Sequence, residues 1–217
     1  MSGAPDGAVP ARAPDDGGPA TAKGRATRAR LLDAAAAQLA ADGRIEVAAV
    51  AERCGVAPSV LYRYFAGRDG LVAAVVDALY DDYAAAVFER PLDEDPELPE
   101  DAGWLVREEH RIAREVAFLY AHPLGRAVAA GLVHDAAATQ VDAARLRRHV
   151  AQAARNIEHG QRRGELDPAV DAGLAAAAII GALRAVIADA LGRSQPPPEA
   201  EVVATVVRVG RAVLRAG

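Results

Sequence analysis

The sequence predicts an all-α protein of about nine helices, and three observations carry that reading. Apolar residues recur at helical spacing in one segment after another, and no period-two alternation competes with them. Alanine makes up about a quarter of the chain while aromatics are 4%, a composition suited to closely packed helices and not to a β-sandwich. The hydrophobic fraction of 52% is ample for a buried core, which excludes general disorder.

The elements follow in order. Residues 1–22 are Gly, Pro, Ala and Asp with almost nothing large and apolar, and are expected to be a disordered tail. A helix is expected from near Thr27, with Leu31, Leu32, Ala35, Ala36 and Leu39 in register and Asp42-Gly43 as its stop. Val47, Val50, Ala51 and Cys54 mark a short second helix ending at Gly55. A third runs from Pro58 to Tyr64, with proline at a first-turn position where its missing N–H costs nothing. Asp69–Val87 forms a longer helix with a stripe of Leu71, Val72, Val75, Val76 and Leu79. Residues 90–101, acidic and rich in proline, read as a linker. Helices are then expected over about 102–121, 124–132, 136–163 and 168–192, the last started by Asp167 as cap and Pro168. The prolines at 196–198 break the chain before a Val-rich closing helix, about 199–215.

Several chemistries are set aside by what is missing from the sequence. Cys54 is the single cysteine, so no internal disulfide forms, and His110, His122, His134, His149 and His159 show no metal-ligand spacing. No metal and no cofactor is expected. No uninterrupted apolar run reaches a membrane span; Ala172–Val186 comes closest, broken by Gly173, Gly181 and Arg184. The N-terminal residues lack the basic and apolar regions of a signal peptide, so a soluble cytoplasmic protein is expected. Adjacent acids such as Asp81-Asp82 and Glu108-Glu109 point to different faces of a helix and make no catalytic dyad. An enzyme is therefore not expected.

Charge is distributed unevenly. The net charge is −5, yet residues 23–68 carry eight basic side chains against four acidic, +4, while residues 69–217 carry sixteen against twenty-three, −7. A basic module on an acidic body points to nucleic acid at one end of the molecule.

Residues 47–65, VAAVAERCGVAPSVLYRYF, read as two short helices around a glycine turn, the helix-turn-helix arrangement. Ala51 lets the helices approach, Gly55 supplies the turn, and Val50, Val56 and Leu61 wedge the angle between them. Gly55-Val56, Leu61-Tyr62-Arg63-Tyr64-Phe65 and Gly67-Arg68-Asp69-Gly70-Leu71 together resemble the TetR family of bacterial transcription regulators. The resemblance covers residues 27–75.

The resemblance implies a three-helix DNA-binding domain over 23–68 and a ligand-binding and dimerisation domain over 69–217. It implies that Pro58 and Ser59 face base edges, that Tyr62 and Tyr64 present hydroxyls to bases or backbone, and that Phe65 locks the helix from beneath. Val47 opens the first motif helix beside the DNA. Arg68 stands where the family has a lysine that meets a phosphate. Lys23, Arg25 and Arg28 read as an arm that touches phosphates or the minor groove. The sequence departs from the family at Ile45 and Glu46, where a hydroxyl residue is usual, and at Ala57, which replaces a capping serine.

A two-fold operator in double-stranded DNA demands a two-fold protein, so a homodimer is expected. Its interface is assigned to Leu174, Ala178, Gly181 and Ala185 on one helix and Val202, Val206 and Val209 on the next. A pocket for a small-molecule effector is placed among the middle helices, lined by Trp104, Arg107, Glu108, Arg111, Phe118, His149, Gln152 and Asn156. Tyr80, Tyr83, Tyr120 and His122 are candidates for further lining. The function expected is a ligand-responsive repressor released from its operator by a small molecule. A helical dimeric interaction protein without DNA binding is the alternative, and an all-α enzyme a more distant one.

Overall fold

The computed structural model describes residues 21–88, 98–99, 101–131 and 133–214. The expected tail, apart from Thr21 and Ala22, and most of the expected acidic linker lie outside the described residues. Nine helices and no strand stand among the described residues: α1 (Ala22–Asp42), α2 (Val47–Arg53), α3 (Pro58–Tyr64), α4 (Gly67–Val87), α5 (Trp104–Ala121), α6 (Pro123–Ala129), α7 (Ala136–Arg162), α8 (Ala172–Gly192) and α9 (Glu199–Leu214).

Two helix starts differ by four residues or more from the sequence expectation, and α4 begins two residues early, at Gly67. α1 begins at Ala22, not near Thr27, because the Thr21 side chain accepts from the Gly24 N–H and caps it. α8 begins at Ala172, not at Pro168. Its cap is Asp171, which accepts from the Leu174 N–H, while Asp167 accepts from the Ala169 N–H in a separate turn. Two Asp-initiated starts lie close together here, and the second leads into the uninterrupted helix.

Three buried clusters hold the molecule together. The first joins Leu31 and Leu39 of α1, Val50 of α2, Leu61 of α3 and Leu71 to Val87 of α4, and reaches Leu124 of α6 and Ala138 of α7. The head core therefore continues along α4 into the body. Ile112 and Val116 of α5, Leu183 and Ile187 of α8, and Val202 and Val206 of α9 form the second. Trp104, Ile157, Leu166, Ala176 and Leu214 form the third. Ion pairs tie α7 to its neighbours. Arg145 holds Asp77 of α4 at 2.7 Å, and Arg184 of α8 holds Asp142 at 2.6 Å.

α8 is more apolar than the reading of interrupted runs implied. Its mean hydropathy reaches 2.0, so by length and composition it could cross a membrane, and 33% of that window is buried in the molecule. One arginine and scattered glycines do not offset so many Ala, Ile and Leu side chains.

Candidate DNA-binding head and buried cavities

The head is built as the helix-turn-helix pattern requires. Gly55 adopts φ 66°, left-handed backbone that a side chain would strain, and the Val56 N–H donates to the Ala51 carbonyl across the turn. Ala57 starts α3 with no side-chain cap, and Glu46 starts α2 without one; the Glu46 N–H is taken by the Gln38 side chain at 2.9 Å. Phe65 is buried beneath α3, with the Arg28 guanidinium 5.2 Å from its ring centre.

α3 presents a polar face. Pro58, Ser59, Tyr62 and Arg63 are exposed, and Tyr62 is 59% exposed although it is a large aromatic. Tyr64 is half-buried against the head core, so it supports the helix more than it faces outward. Val47 is half-buried in the same cluster. Lys23 and Arg25 are exposed on the first turns of α1. Arg63 escaped the sequence reading. Its signal was position, since 59, 62 and 63 fall on one face of a helix.

Arg68 has partners within the chain that the sequence expectation did not include. Its Nε donates to the Ile45 carbonyl at 3.1 Å, and its Nη2 meets Asp135 at 2.6 Å, with Asp69 a third partner at 3.2 Å. A guanidinium so held braces the chain, while its side chain stays 41% exposed. Sequence gave no sign of the partner, because Asp135 lies 67 residues away.

In the body, two adjoining cavities of about 110 and 390 Å³ lie between α4, α5, α7 and α8, the first reaching α9 and the second α6. Tyr83, Glu115, His149, Ile180 and Leu183 line both and form the waist between them. Trp104, Glu108, Arg111, His149, Gln152 and Asn156, all expected lining, border the first. Phe118 instead borders the second, as does Tyr80. Arg107 borders neither; it pairs with Glu165 at 3.5 Å and donates to the Ala102 carbonyl. Tyr120 and His122 are also engaged elsewhere, Tyr120 donating to the Pro197 carbonyl and His122 capping α6.

Trp104 is a buried wall of the first cavity. Its Nε1–H donates to the Asn156 carbonyl at 3.0 Å, and the Asn156 amide donates to Glu108 at 2.9 Å. At the waist Tyr83 hydrogen-bonds Glu115, and burial pushes the Glu115 carboxyl up to about 7. Burial, with Arg145 and Arg184 nearby, lowers His149, so its imidazole is neutral at pH 7. The sequence reading missed Glu115. It sits three residues after Ile112 and next to Val116, on the buried side of α5, where a carboxylate is out of place unless it has a task.

The assigned dimer residues divide. On α8, Leu174, Ala178, Gly181 and Ala185 are exposed, Leu174 at 73%, and nothing lies within 4 Å of a Cβ placed on Gly181. Val202 and Val206 of α9 are buried in their own chain against Ile112, Val116 and Leu183, so they cannot meet a partner. Val209 is half-buried. Val202 and Val206 are apolar as expected, but they pack within their own chain.

Residues 31–75 match the family model of the bacterial regulatory proteins, tetR family. Comparison with curated protein sequences gives no match. Solved structures share the fold over nearly the whole chain. A putative TetR-family transcriptional regulator from Rhodococcus sp. is 21% identical, with TM-score 0.63 over 87% of this chain and 98% of its own. The fatty acid degradation regulator FadR from Bacillus halodurans is 15% identical, with TM-score 0.71 over 88% and 97%. The regulator FadR from Bacillus subtilis, solved with stearoyl-CoA, is 16% identical, with TM-score 0.68 over 84% and 96%.

Proposed function

We propose that the chain is a regulator of the TetR family, a cytoplasmic repressor that binds operator DNA through α3 and leaves it when a small molecule occupies the cavities. The observation that carries this is the course of α4. Its first turns pack under α3 within the head core, and Tyr80 and Tyr83, further along the same helix, border the cavities. A ligand that fits only one placement of α4 would shift the head with it. Such a ligand acts only through its different affinity for the two placements.

Pro58, Ser59, Tyr62 and Arg63 supply the groove-facing surface, with Lys23 and Arg25 as the arm. That the fold can house an effector is supported by the Bacillus subtilis FadR solved with stearoyl-CoA, and by AibR, solved with isovaleryl coenzyme A and operator DNA. A second copy of the chain covers the exposed apolar face of α8, setting two recognition helices at the spacing of a two-fold operator. Regulation, not catalysis, is the activity.

A salt series of mobility shifts on the DNA upstream of the gene tests the reading. Binding with a steep negative dependence on salt, and about tenfold weaker for Tyr62→Ala, is expected. No preference for that DNA over an unrelated duplex would overturn it.

A further inference from the structure

We propose that the joined cavities take a hydrophobic cation, an amine on an apolar body, with its ammonium held at the Glu115 carboxylate. This rests on the effector reading above and names the class of effector. The first support is the charge of the lining. Among the described lining residues, four carboxylates (Glu108, Glu109, Glu115 and Asp142) face three guanidiniums, and each guanidinium has an acid of its own. Arg111 pairs with Glu108, Arg184 with Asp142 at 2.6 Å, and Arg211 with Glu109 at 3.6 Å. Glu115 is the acid left over. An anionic head group entering here would meet paired cations and one surplus carboxylate; an ammonium would meet its complement.

The second support is aromatic. Tyr83 lies at the waist with its ring centre 5.7 Å from both Phe88 and Phe118 and 5.1 Å from His149. Aromatic rings lining the same space as a carboxylate are surroundings that suit a desolvated organic cation. Ile112, Ile179, Ile180 and Leu183 offer the rest of the lining to an apolar body.

The groups around Glu115 come from four helices: Tyr83 from α4, Arg111 from its own α5, Arg184 from α8, and the neutral His149 from α7. Near pH 7 the Glu115 carboxyl is partly protonated. A bound ammonium favours the carboxylate, so the acid's proton leaves to the solvent as the cation enters.

The test uses decylamine, decanol and decanoate, each below its micellar concentration, with Trp104 emission as the readout. Trp104 is the single tryptophan and borders the first cavity. Decylamine should saturate at a concentration at least tenfold lower than either analogue, and Glu115→Gln should bring the three within about threefold of one another. Calorimetry at pH 7 in buffers of different ionisation heat should show proton release on binding decylamine to the unsubstituted protein. Equal or tighter binding of decanol or decanoate overturns the proposal. So does an amine preference that Glu115→Gln retains, or no saturable change with any probe. If the variant does not fold, absence of proton release from the unsubstituted protein is decisive by itself. Failure of the ligand-free protein to bind DNA would instead count against the regulator reading.

Discussion

Arg68, the second residue of α4, places its Nη2 2.6 Å from the Oδ2 of Asp135, the N-cap of α7. The Asp135 side chain is 3% exposed, and its Oδ1 accepts from the N–H groups of Ala137 and Ala138. One carboxylate thus starts the longest helix of the body and fastens it to the helix that leaves the head. Since α7 also carries Asp142, His149 and Asn156 to the cavities, the pair is a direct mechanical link between cavity wall and head.

Asp135→Ala should lower stability by about 2 kcal/mol, losing a helix cap and leaving Arg68 without its buried partner. Asp135→Asn keeps an acceptor for the cap and should lose less. Burial alone would raise the Asp135 carboxyl. The Arg68 guanidinium and the two N–H groups outweigh it and hold the group below the usual carboxylate range. The stability from this pair is therefore fully present above the ordinary carboxylate pKa and is lost as pH falls from there through the lower folded value. Urea midpoints of the three proteins should lie closer together at pH 3 than at pH 7. Midpoints that stay equally separated would deny the pair its role.

Arg63 and Arg68 should behave oppositely toward DNA. Arg63 is exposed on α3, resting 5.7 Å from the Tyr64 ring, while Arg68 is bound inside the chain. Arg63→Ala should weaken binding to all sequences alike and reduce the slope of log affinity against log salt by about one. Arg68→Ala should leave that slope unchanged. The reverse result would restore Arg68 as the phosphate contact.

The head was legible in the sequence because its determinants are local. Gly55, Pro58 and Phe65 act within a few residues of where they stand, and helical spacing separates Leu61 inside from Tyr62 outside. What escaped was made of distant partners. Asp135 is invisible as the mate of Arg68, and Val202 looks no different facing Leu183 in its own chain than facing a second copy. Glu115 was legible in principle, as a carboxylate on an apolar stripe. Trp104, Glu108, Arg111 and Asn156 came to one cavity as the helical faces implied. Arg107 did not, because Glu165, in the turn after α7, draws it away.

The α8 face gives a test of assembly. Gly181 is exposed with open space above it, so Gly181→Glu costs the isolated chain little. In a dimer joined through Leu174, Ala178 and Ala185, the same carboxylate would be buried without a partner. Sedimentation of Gly181→Glu should give a folded species of half the mass of the unsubstituted protein, with DNA affinity reduced at least tenfold. A folded dimer that binds DNA normally would move the interface elsewhere.

Gly160 of α7 tests how tightly the tryptophan wall is set. A Cβ there would lie 2.9 Å from both the Leu166 Cδ1 and the Trp104 Cδ1. Gly160→Ala should displace the indole and lower stability by roughly 1–3 kcal/mol, despite the better helix propensity of alanine. Trp104 emission should shift to the red as the ring gains solvent. Unchanged emission with raised stability would mean that the wall yields freely and is no fixed boundary of the cavity.

Glu115 makes the last prediction, and it concerns the protein without ligand. Its carboxyl ordinarily titrates near 4.5 and is raised to about 7 in the folded chain, chiefly by burial and against the opposing pull of Tyr83, Arg184 and Arg111. A raised folded pKa means that the unfolded chain gives up this proton first. The folded protein is therefore favoured below pH 4.5 and loses that advantage as pH rises to 7, with no further loss above it. Glu115→Gln has no such proton and keeps the neutral hydrogen-bonding shape. The variant should match the unsubstituted protein near pH 4.5 and exceed it at pH 8, by on the order of 1–3 kcal/mol. Chemical denaturation of both proteins between pH 4.5 and 8 measures the difference directly. A difference that stays flat over that range, or one that favours Glu115 at high pH, would mean that the carboxylate is ionised at no cost in the empty cavity. The surplus charge at the waist would then already be neutralised by the protein itself.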